Sequence, residues 1–151
     1  MTVTFCGHSK VYSESKEVTE KLTKIVEELI NEGADEFLLG GYGHFDHISA
    51  RVVKNLKEKY PHITSRLVIP YLNRQYDMKL YDDSVYPPIE TTPLRFAISK
   101  RNEYMVMWSD VVVSYVYCRF GGAYNTLQFA KRKKKRIIEI NLDKKEEENT
   151  K

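Results

Sequence analysis

Apolar residues follow two different periods along this chain, and the two periods alternate. They recur every three or four positions from Ser15 to Glu32 and again from Ile48 to Leu56, which predicts two amphipathic helices. Short apolar or alternating runs between them predict strands. Five strands are predicted, at Thr2–Cys6, Glu36–Leu39, Arg66–Ile69, Asp110–Val113 and Arg136–Ile140.

Two more helices complete the alternation. One is predicted from about Leu94 to Trp108, and the other carries Thr126, Leu127 and Ala130. Strands that alternate with helices are typical of a parallel sheet covered on both faces. With right-handed crossovers, we predict an α/β, Rossmann-like three-layer sandwich with a five-stranded parallel sheet of order 3-2-1-4-5. Residues 71–93 show no period and are predicted to form a long loop.

Length and composition indicate one globular unit. The 151 residues suffice for a single core, so we predict one domain over residues 1–142. Residues 143–151 are charged and are predicted to be a disordered tail. No apolar run approaches the roughly 18 residues of a membrane helix, and the first ten residues lack a signal-peptide layout. We therefore expect a cytoplasmic protein without membrane contact, with Cys6 and Cys118 as reduced thiols.

The net charge of +3 comes mainly from the run Lys131–Arg136. Six consecutive cationic residues invite a nucleic-acid interpretation. A solvated last helical turn, whose cations suit the negative end of the helix dipole, is the simpler interpretation. Nucleic acid is therefore not an expected partner.

Three predicted strands run directly into glycine-bearing turns. These turns are Gly7-His8-Ser9, Gly40-Gly41-Tyr42-Gly43 and the pair Gly121-Gly122. Ligands of such sheets bind at the carboxyl ends of strands, near the point where the strand order reverses. Glycine turns at helix starts present backbone N–H groups and the positive end of a dipole to phosphate. The sequence thus predicts a site for the phosphate or ribose of a nucleotide-like ligand, although ordinary strand-to-helix turns also use glycine.

Several side chains are further candidates for ligand contact. Arg101 can pair with a phosphate through its planar guanidinium, or it can be a solvated surface charge. Asn102 can bond a ribose hydroxyl or face solvent, and Asn73 and Arg74 follow the third strand. Tyrosines in the long loop can stack a base, although core filling and loop anchoring are alternatives. They are Tyr71, Tyr76, Tyr81 and Tyr86.

Neither a metal site nor a bound cofactor is predicted. His44 and His47 share a helix face, but no third ligand is apparent, and Asp46 between them is interpreted as a helix cap. Cys118 has no evident partner in the sequence, so a small buried thiol is preferred to a nucleophile.

These motifs together resemble the LOG-like Rossmannoid proteins, the SLOG superfamily, which includes phosphoribohydrolases that release a base from nucleoside 5′-monophosphates. Phe5-Cys-Gly-His-Ser9 is similar to the family's first-strand Phe-Cys-Gly-Ser-Ser, and Gly40-Gly-Tyr-Gly43 to its second glycine turn. Ser99–Met105 resembles its Arg-Lys helix motif. Gly121–Gln128 resembles Gly-Gly-x-Gly-Thr-x-x-Glu. The resemblance runs over residues 3–140.

The glycine turns, the side chains singled out above and the family motifs together give the candidate ligand-binding residues, and the resemblance also implies a homo-oligomer. The candidates are Gly7, His8, Ser9, Gly40, Gly41, Gly43, Asn73, Arg74, Arg101, Asn102, Gly121, Gly122, Asn125, Thr126 and Gln128. In the hydrolases the last motif ends in a glutamate that acts with the helix arginine. Gln128 holds that place here, and an amide neither stabilises positive charge on a ribose ring nor accepts a proton from water. Tyr124 also replaces the last glycine of that motif.

We therefore predict a module that binds a nucleotide or an ADP-ribose-like ligand without turnover, as a sensor or a sequestering protein. The alternative is an N-ribosyl hydrolase acting on nucleoside 5′-monophosphates. Arg101 and Gln128 would then be the catalytic candidates, or Glu103, Asp46 or Glu90 would replace the missing glutamate.

Overall fold

The computed structural model describes residues 1–11 and 15–140. The strands are β1 Thr2–Gly7, β2 Glu36–Leu39, β3 Thr64–Val68, β4 Asp83–Val85, β5 Val111–Tyr115 and β6 Arg136–Glu139. The helices are α1 Ser15–Asn31, α2 His44–Lys59, α3 Ala97–Met107 and α4 Gly122–Arg132, with a 3-10 turn at Leu94–Phe96. The charged tail predicted for residues 143–151 lies outside the described residues.

The six strands form one parallel sheet of order β4-β3-β2-β1-β5-β6. The α/β class, the parallel sheet and the three layers are confirmed, but the prediction of five strands in the order 3-2-1-4-5 is wrong. The error lies at one edge, because Asp83–Val85 in the predicted long loop pairs with β3. Three residues carrying two polar side chains are too few to show a strand period. Arg66 of β3 reaches across to this strand, with Nε 3.0 Å from Asp83 Oδ1.

The two faces of the sheet are covered by different helix pairs. α1 and α2 bury Leu22, Leu29 and Val53 against Val3 and Phe37. α3 and α4 cover the other face, where buried apolar side chains also meet. They are Cys6, Val106, Val112, Leu127 and Ala130. Alternate residues of β1 and β5 therefore point into different layers.

Within the described ranges, every helix is either too short or too polar to cross a bilayer.

Candidate functional site

A cavity opens at the carboxyl ends of β1 and β5, on the face covered by α3 and α4. The chain leaves β1 toward one side of the sheet and β5 toward the other, so this is the point at which the strand order reverses. The volume is about 390 Å³, which lies within the range of about 300–1,000 Å³ of small-molecule pockets. We call it the switch-point cavity. Its polar and glycine lining includes Gly7, His8, Ser9, Lys10, Asp46, Arg101, Asn102, Cys118, Gly121, Gly122 and Thr126.

The start of α4 forms one wall of the cavity. Gly121 is the N-cap and has a φ of 93°, a conformation that favours glycine. No described side chain caps this helix start, so its first backbone N–H groups are left for another acceptor. A Cβ added to Gly122 would meet no atom within 4 Å. Packing within the chain therefore does not require glycine at position 122.

β1 and α2 are in close contact at Gly7, which lines the cavity. A Cβ at Gly7 would lie 2.3 Å from Cδ2 of Phe45, so the Phe45 ring occupies that space. Phe45 is fully buried, and its ring stacks on Tyr115 with centroids 5.6 Å apart. The His44 N–H donates to the Ser9 carbonyl at 2.9 Å. The first and second glycine turns therefore lie against each other.

Arg101 is buried in the wall of the cavity, with 2% of its surface exposed. Its Nη1 donates to the carbonyls of Gly40 and Val68, each at 2.8 Å. Its Nε donates to Oδ1 of Asn102 at 2.9 Å. Because these carbonyls lie at or just beyond the ends of β2 and β3, Arg101 satisfies acceptors at the sheet edge. The surface-charge interpretation of Arg101 is therefore wrong.

Asp46 lines the cavity next to this arginine. Its Oδ2 accepts the Tyr42 N–H at 3.1 Å. It thus holds the turn before α2, whereas the N-cap itself is Gly43. Burial raises the pKa of Asp46 to about 6, against the lowering effects of the Tyr42 N–H and of Arg101. Among the described residues that line the cavity, Asp46 is the one acid.

The raised pKa of Asp46 predicts a pH effect on stability. The native chain binds this proton more tightly than the unfolded chain, so the carboxyl's contribution to the free energy of unfolding falls as pH rises from about 4 to about 6. We expect Asp46→Asn to gain on the order of 1–3 kcal/mol relative to wild type between pH 4 and pH 7.5. Urea unfolding at several pH values measures this difference. Parallel curves for the two proteins would contradict it.

A thiol and an imidazole meet at the mouth of the cavity. The Sγ atom of Cys118 lies 3.4 Å from Nε2 of His8, although the two residues are 110 positions apart in sequence. The His8 ring packs on Tyr117 with centroids 4.2 Å apart. Burial lowers the pKa of His8. The sequence shows no partner for Cys118, and the fold brings His8 next to it.

Two exposed aromatic side chains stand on the rim. Phe120 is 74% exposed and precedes the glycine pair, and Tyr42 is 65% exposed and lies in the second glycine turn. β2 and β5 flank β1, so these turns begin roughly 10 Å apart.

The tyrosines predicted to stack a base, Tyr71, Tyr76, Tyr81 and Tyr86, do not line the cavity. The Tyr71 hydroxyl instead donates to the Leu94 carbonyl and that of Tyr76 to the Tyr71 carbonyl. Tyr71 and Tyr76 therefore anchor the loop, which is one of the two alternatives to base stacking.

The predicted site residues fall into two groups. Those that line the switch-point cavity are Gly7, His8, Ser9, Arg101, Asn102, Gly121, Gly122 and Thr126. Those that do not are Gly40, Gly41, Gly43, Asn73, Arg74, Asn125 and Gln128. Arg74 stacks its guanidinium 3.9 Å above the Tyr71 ring, and Gly40 supports Arg101. Ligand contact by the first group stays a prediction.

The part of the chain that the structure describes brings no three His, Cys, Asp or Glu side chains into a metal-binding arrangement. His44 is within 3.2 Å of the Ser15 hydroxyl through its Nε2 atom.

Sequence reasoning missed four residues of the cavity that carry chemistry. The sequence suggests Asp46 only as a helix cap or as a replacement for the missing glutamate, and it suggests Cys118 only as a small buried thiol. Phe120 and Tyr42 carried a usable signal, because each is an aromatic residue adjacent to a glycine at a strand end. The sequence prediction instead assigned base stacking to the tyrosines of the long loop.

Comparison with known proteins places the fold. The model of the YspA SLOG family matches residues 6–92. The SPbeta prophage-derived protein YoqJ of Bacillus subtilis (strain 168) is 28% identical over 138 residues, which cover 75% of this chain and 80% of that protein.

Solved structures with low sequence identity share the same fold. DNA processing protein A from Helicobacter pylori, described for its single-stranded DNA binding, has a TM-score of 0.63 at 19% identity, over 95% of this chain and 67% of its own. DNA processing protein A from Streptococcus pneumoniae has a TM-score of 0.67 at 20% identity, over 93% of this chain and half of its own. The molybdenum cofactor binding protein of Rippkaea orientalis has a TM-score of 0.64 at 17% identity, over 99% of this chain and 81% of its own.

Proposed function

The chain belongs to the YspA SLOG family, and from this premise we propose that its switch-point cavity binds a nucleotide or an ADP-ribose-like ligand without turning it over. The observation that carries the proposal is Gly122. It lines the cavity at a helix start without a side-chain cap, where a Cβ would meet no atom within 4 Å apart from its chain neighbours and the backbone of its own helix. A glycine that the fold itself does not need is explained by a ligand that approaches the backbone.

The phosphate would lie against the first turn of α4. The N–H groups there carry the positive end of the helix dipole, and Lys10, an exposed cation, lines the same cavity. Arg101 would not grip the phosphate with Nη1, because that atom already donates to two carbonyls. The phosphate site thus depends on backbone and on Lys10.

The remaining parts of a nucleotide also have matching surfaces. Because Oδ1 of Asn102 accepts from Arg101, its amide nitrogen is the end that can donate to a ribose hydroxyl. Phe120 and Tyr42 offer flat faces on two sides of the opening, on which a heterocyclic base can stack. Asn102 lies on α3, Tyr42 lies in the second glycine turn and Phe120 directly precedes the glycine pair, so one ligand would join three segments of the chain.

The positions of Glu103, Glu90 and Gln128 support binding without turnover. Gln128 lies outside the cavity, and Glu103 pairs with Lys100 at 3.3 Å. Glu90 does not line the cavity either. Asp46 favours the second candidate function, an N-ribosyl hydrolase, because it is a cavity carboxyl whose pKa near 6 suits proton transfer at neutral pH.

The expectation that excludes nucleic acid is not supported, since a protein of the same fold is described as binding single-stranded DNA. Another is described as binding the molybdenum cofactor. A single-stranded oligonucleotide and the molybdenum cofactor therefore belong among the test ligands. A homo-oligomer and a cytoplasmic location stay proposals.

Calorimetry and thermal unfolding with AMP, ADP-ribose and ribose 5-phosphate test the proposal, with chromatography for released base. We expect at least one nucleotide to raise the melting temperature, as binding to the native state requires, and no free base to appear. Base release that disappears in Asp46→Asn would favour the hydrolase instead. If only the oligonucleotide or the molybdenum cofactor binds, nucleotide binding is wrong.

Gly122→Ala is the sharpest variant for this site. Removing a glycine from a helical position should leave stability unchanged or raise it by about 0.4–1 kcal/mol. The added methyl group would occupy the space in which the phosphate approaches the backbone, so we expect the affinity for AMP or ADP-ribose to fall at least about tenfold. Calorimetry and urea unfolding measure the two effects.

Lys131→Ala is the control for that variant, since it removes a cation from the last turn of the same helix, away from the cavity. It should bind as wild type does. Equal affinities for Gly122→Ala and wild type would remove the central support of the proposal.

A further inference from the structure

The two cysteines of this chain lie in opposite surroundings. Cys6 lies inside β1 with 6% of its surface exposed, and burial, together with the charges of Asp46 and Glu139, raises its pKa to about 12. It is therefore a protonated thiol at neutral pH, even though it also lines the switch-point cavity. Cys118 lies in the loop between β5 and α4, is half-buried and lines the switch-point cavity.

Cys118 has a base within hydrogen-bond reach. Its Sγ atom is 3.4 Å from Nε2 of His8. The imidazole packs on the Tyr117 ring, and the backbone N–H of His8 donates to the Tyr115 carbonyl at 3.2 Å. Burial lowers the pKa of His8, so the ring is mostly neutral at pH 7.4 and can accept a proton. A thiol beside an oriented base is the arrangement of an activated nucleophile.

The loop places Cys118 three residues before Gly121, the N-cap of α4. The Phe120 carbonyl, 3.6 Å from Sγ, gives the S–H group an acceptor before it reacts.

We propose that the Cys118–His8 pair is a modification site for low-molecular-weight disulfides, represented here by glutathione disulfide. His8 Nε2 takes the proton from Sγ, and the thiolate attacks one sulfur of the disulfide. The disulfide bond breaks as the Cys118 mixed disulfide forms. The departing glutathione thiolate takes the proton from His8, so Cys118 is oxidised, one glutathione is reduced and no other reactant is needed.

The adduct would occupy the mouth of the switch-point cavity. Modification and ligand binding would then exclude each other, which makes the cavity responsive to the thiol–disulfide balance. This consequence rests on the proposed function, whereas the reaction of Cys118 does not.

The test uses the full chain with glutathione disulfide at pH 7.4, followed by intact mass and peptide mapping. We expect one adduct, on Cys118, forming at least about tenfold faster than on the same chain unfolded in urea. His8→Ala should slow the native reaction at least about tenfold. His47→Ala removes an exposed histidine outside the cavity and should react as wild type does.

Two results would overturn the proposal. One is a native rate for Cys118 no higher than in the unfolded chain, a comparison that needs no variant. The other is an unchanged rate in a folded His8→Ala protein. If Cys118 reacts as expected but no nucleotide protects it, the modification site stands and nucleotide binding loses support.

Discussion

Replacing Arg101 by alanine should lower the free energy of unfolding by about 3–5 kcal/mol. The variant leaves the carbonyls of Gly40 and Val68 without their donor, and each buried unpaired acceptor costs about 1–3 kcal/mol. It also removes the guanidinium that faces Asp46 and empties the volume of one of the largest fully buried side chains. Arg101→Lys should lose less than Arg101→Ala, because the ammonium can still donate to one of the carbonyls, although it cannot reproduce all the hydrogen bonds of the guanidinium.

Urea unfolding followed by circular dichroism measures the loss. Lys100→Ala is the matched control, because it removes the neighbouring cation on α3, which is exposed and forms an ion pair with Glu103. We expect its effect to stay under about 0.5 kcal/mol. An Arg101→Ala protein within about 1 kcal/mol of wild type would show that the two carbonyls find other donors.

The stability of the Arg101 variants affects how a loss of ligand binding by them is interpreted. A variant that loses ligand binding because its fold is weakened does not identify a ligand contact. Binding by Arg101→Lys, corrected for the folded fraction, separates the two roles. Unchanged affinity in the folded molecules would assign Arg101 to the support of the cavity wall.

Phe45→Ala should also destabilise the chain by about 3–5 kcal/mol. The ring is fully buried under β1, stacks on Tyr115 and fills the space next to Gly7. Thermal and urea unfolding measure the effect. Phe96→Ala, which truncates a phenylalanine that is 48% exposed, should cost under about 1 kcal/mol.

A double-mutant cycle with Gly7→Ala tests the contact itself. In wild type the new Cβ would lie 2.3 Å from the Phe45 ring, and such overpacking costs about 1–3 kcal/mol or more. In the Phe45→Ala background the methyl group enters vacated space and should cost little. The two changes should therefore be non-additive by at least about 1 kcal/mol. Additivity within about 0.5 kcal/mol would mean that Gly7 is not constrained by Phe45.

The candidate site was partly accessible from the sequence because glycines at strand ends are local signals. Gly7 and Gly121 lie on the same cavity because carboxyl ends of parallel strands share one edge. Gly40 and Gly43 also follow a strand, yet they do not line the cavity, whereas Tyr42 of the same turn does. The sequence predicts that the turn lies at this edge of the sheet, but it does not predict which of its residues face the cavity.

The charged residues show the opposite limit. No pattern in the sequence shows whether Arg101 is a surface cation or a buried one. The apolar residues of α3 are spread over several faces of the helix, so they do not mark a single buried face. Its burial follows from the two strand ends that meet its guanidinium. The Cys118–His8 contact likewise depends on β1 and β5 being neighbours in register, with Gly7 opposite Tyr115.

The sequence by itself determined the alternation of strands and helices, the parallel sheet and the glycine turns at its edge. These features rest on local periodicity and backbone freedom, which each segment carries on its own. Four features became visible only once the chain was folded. They are the additional strand β4, the burial of Arg101, the position of Asp46 in the cavity and the contact between Cys118 and His8. Those depend on which distant segments come into contact, because desolvation and hydrogen bonding act through space and not along the chain.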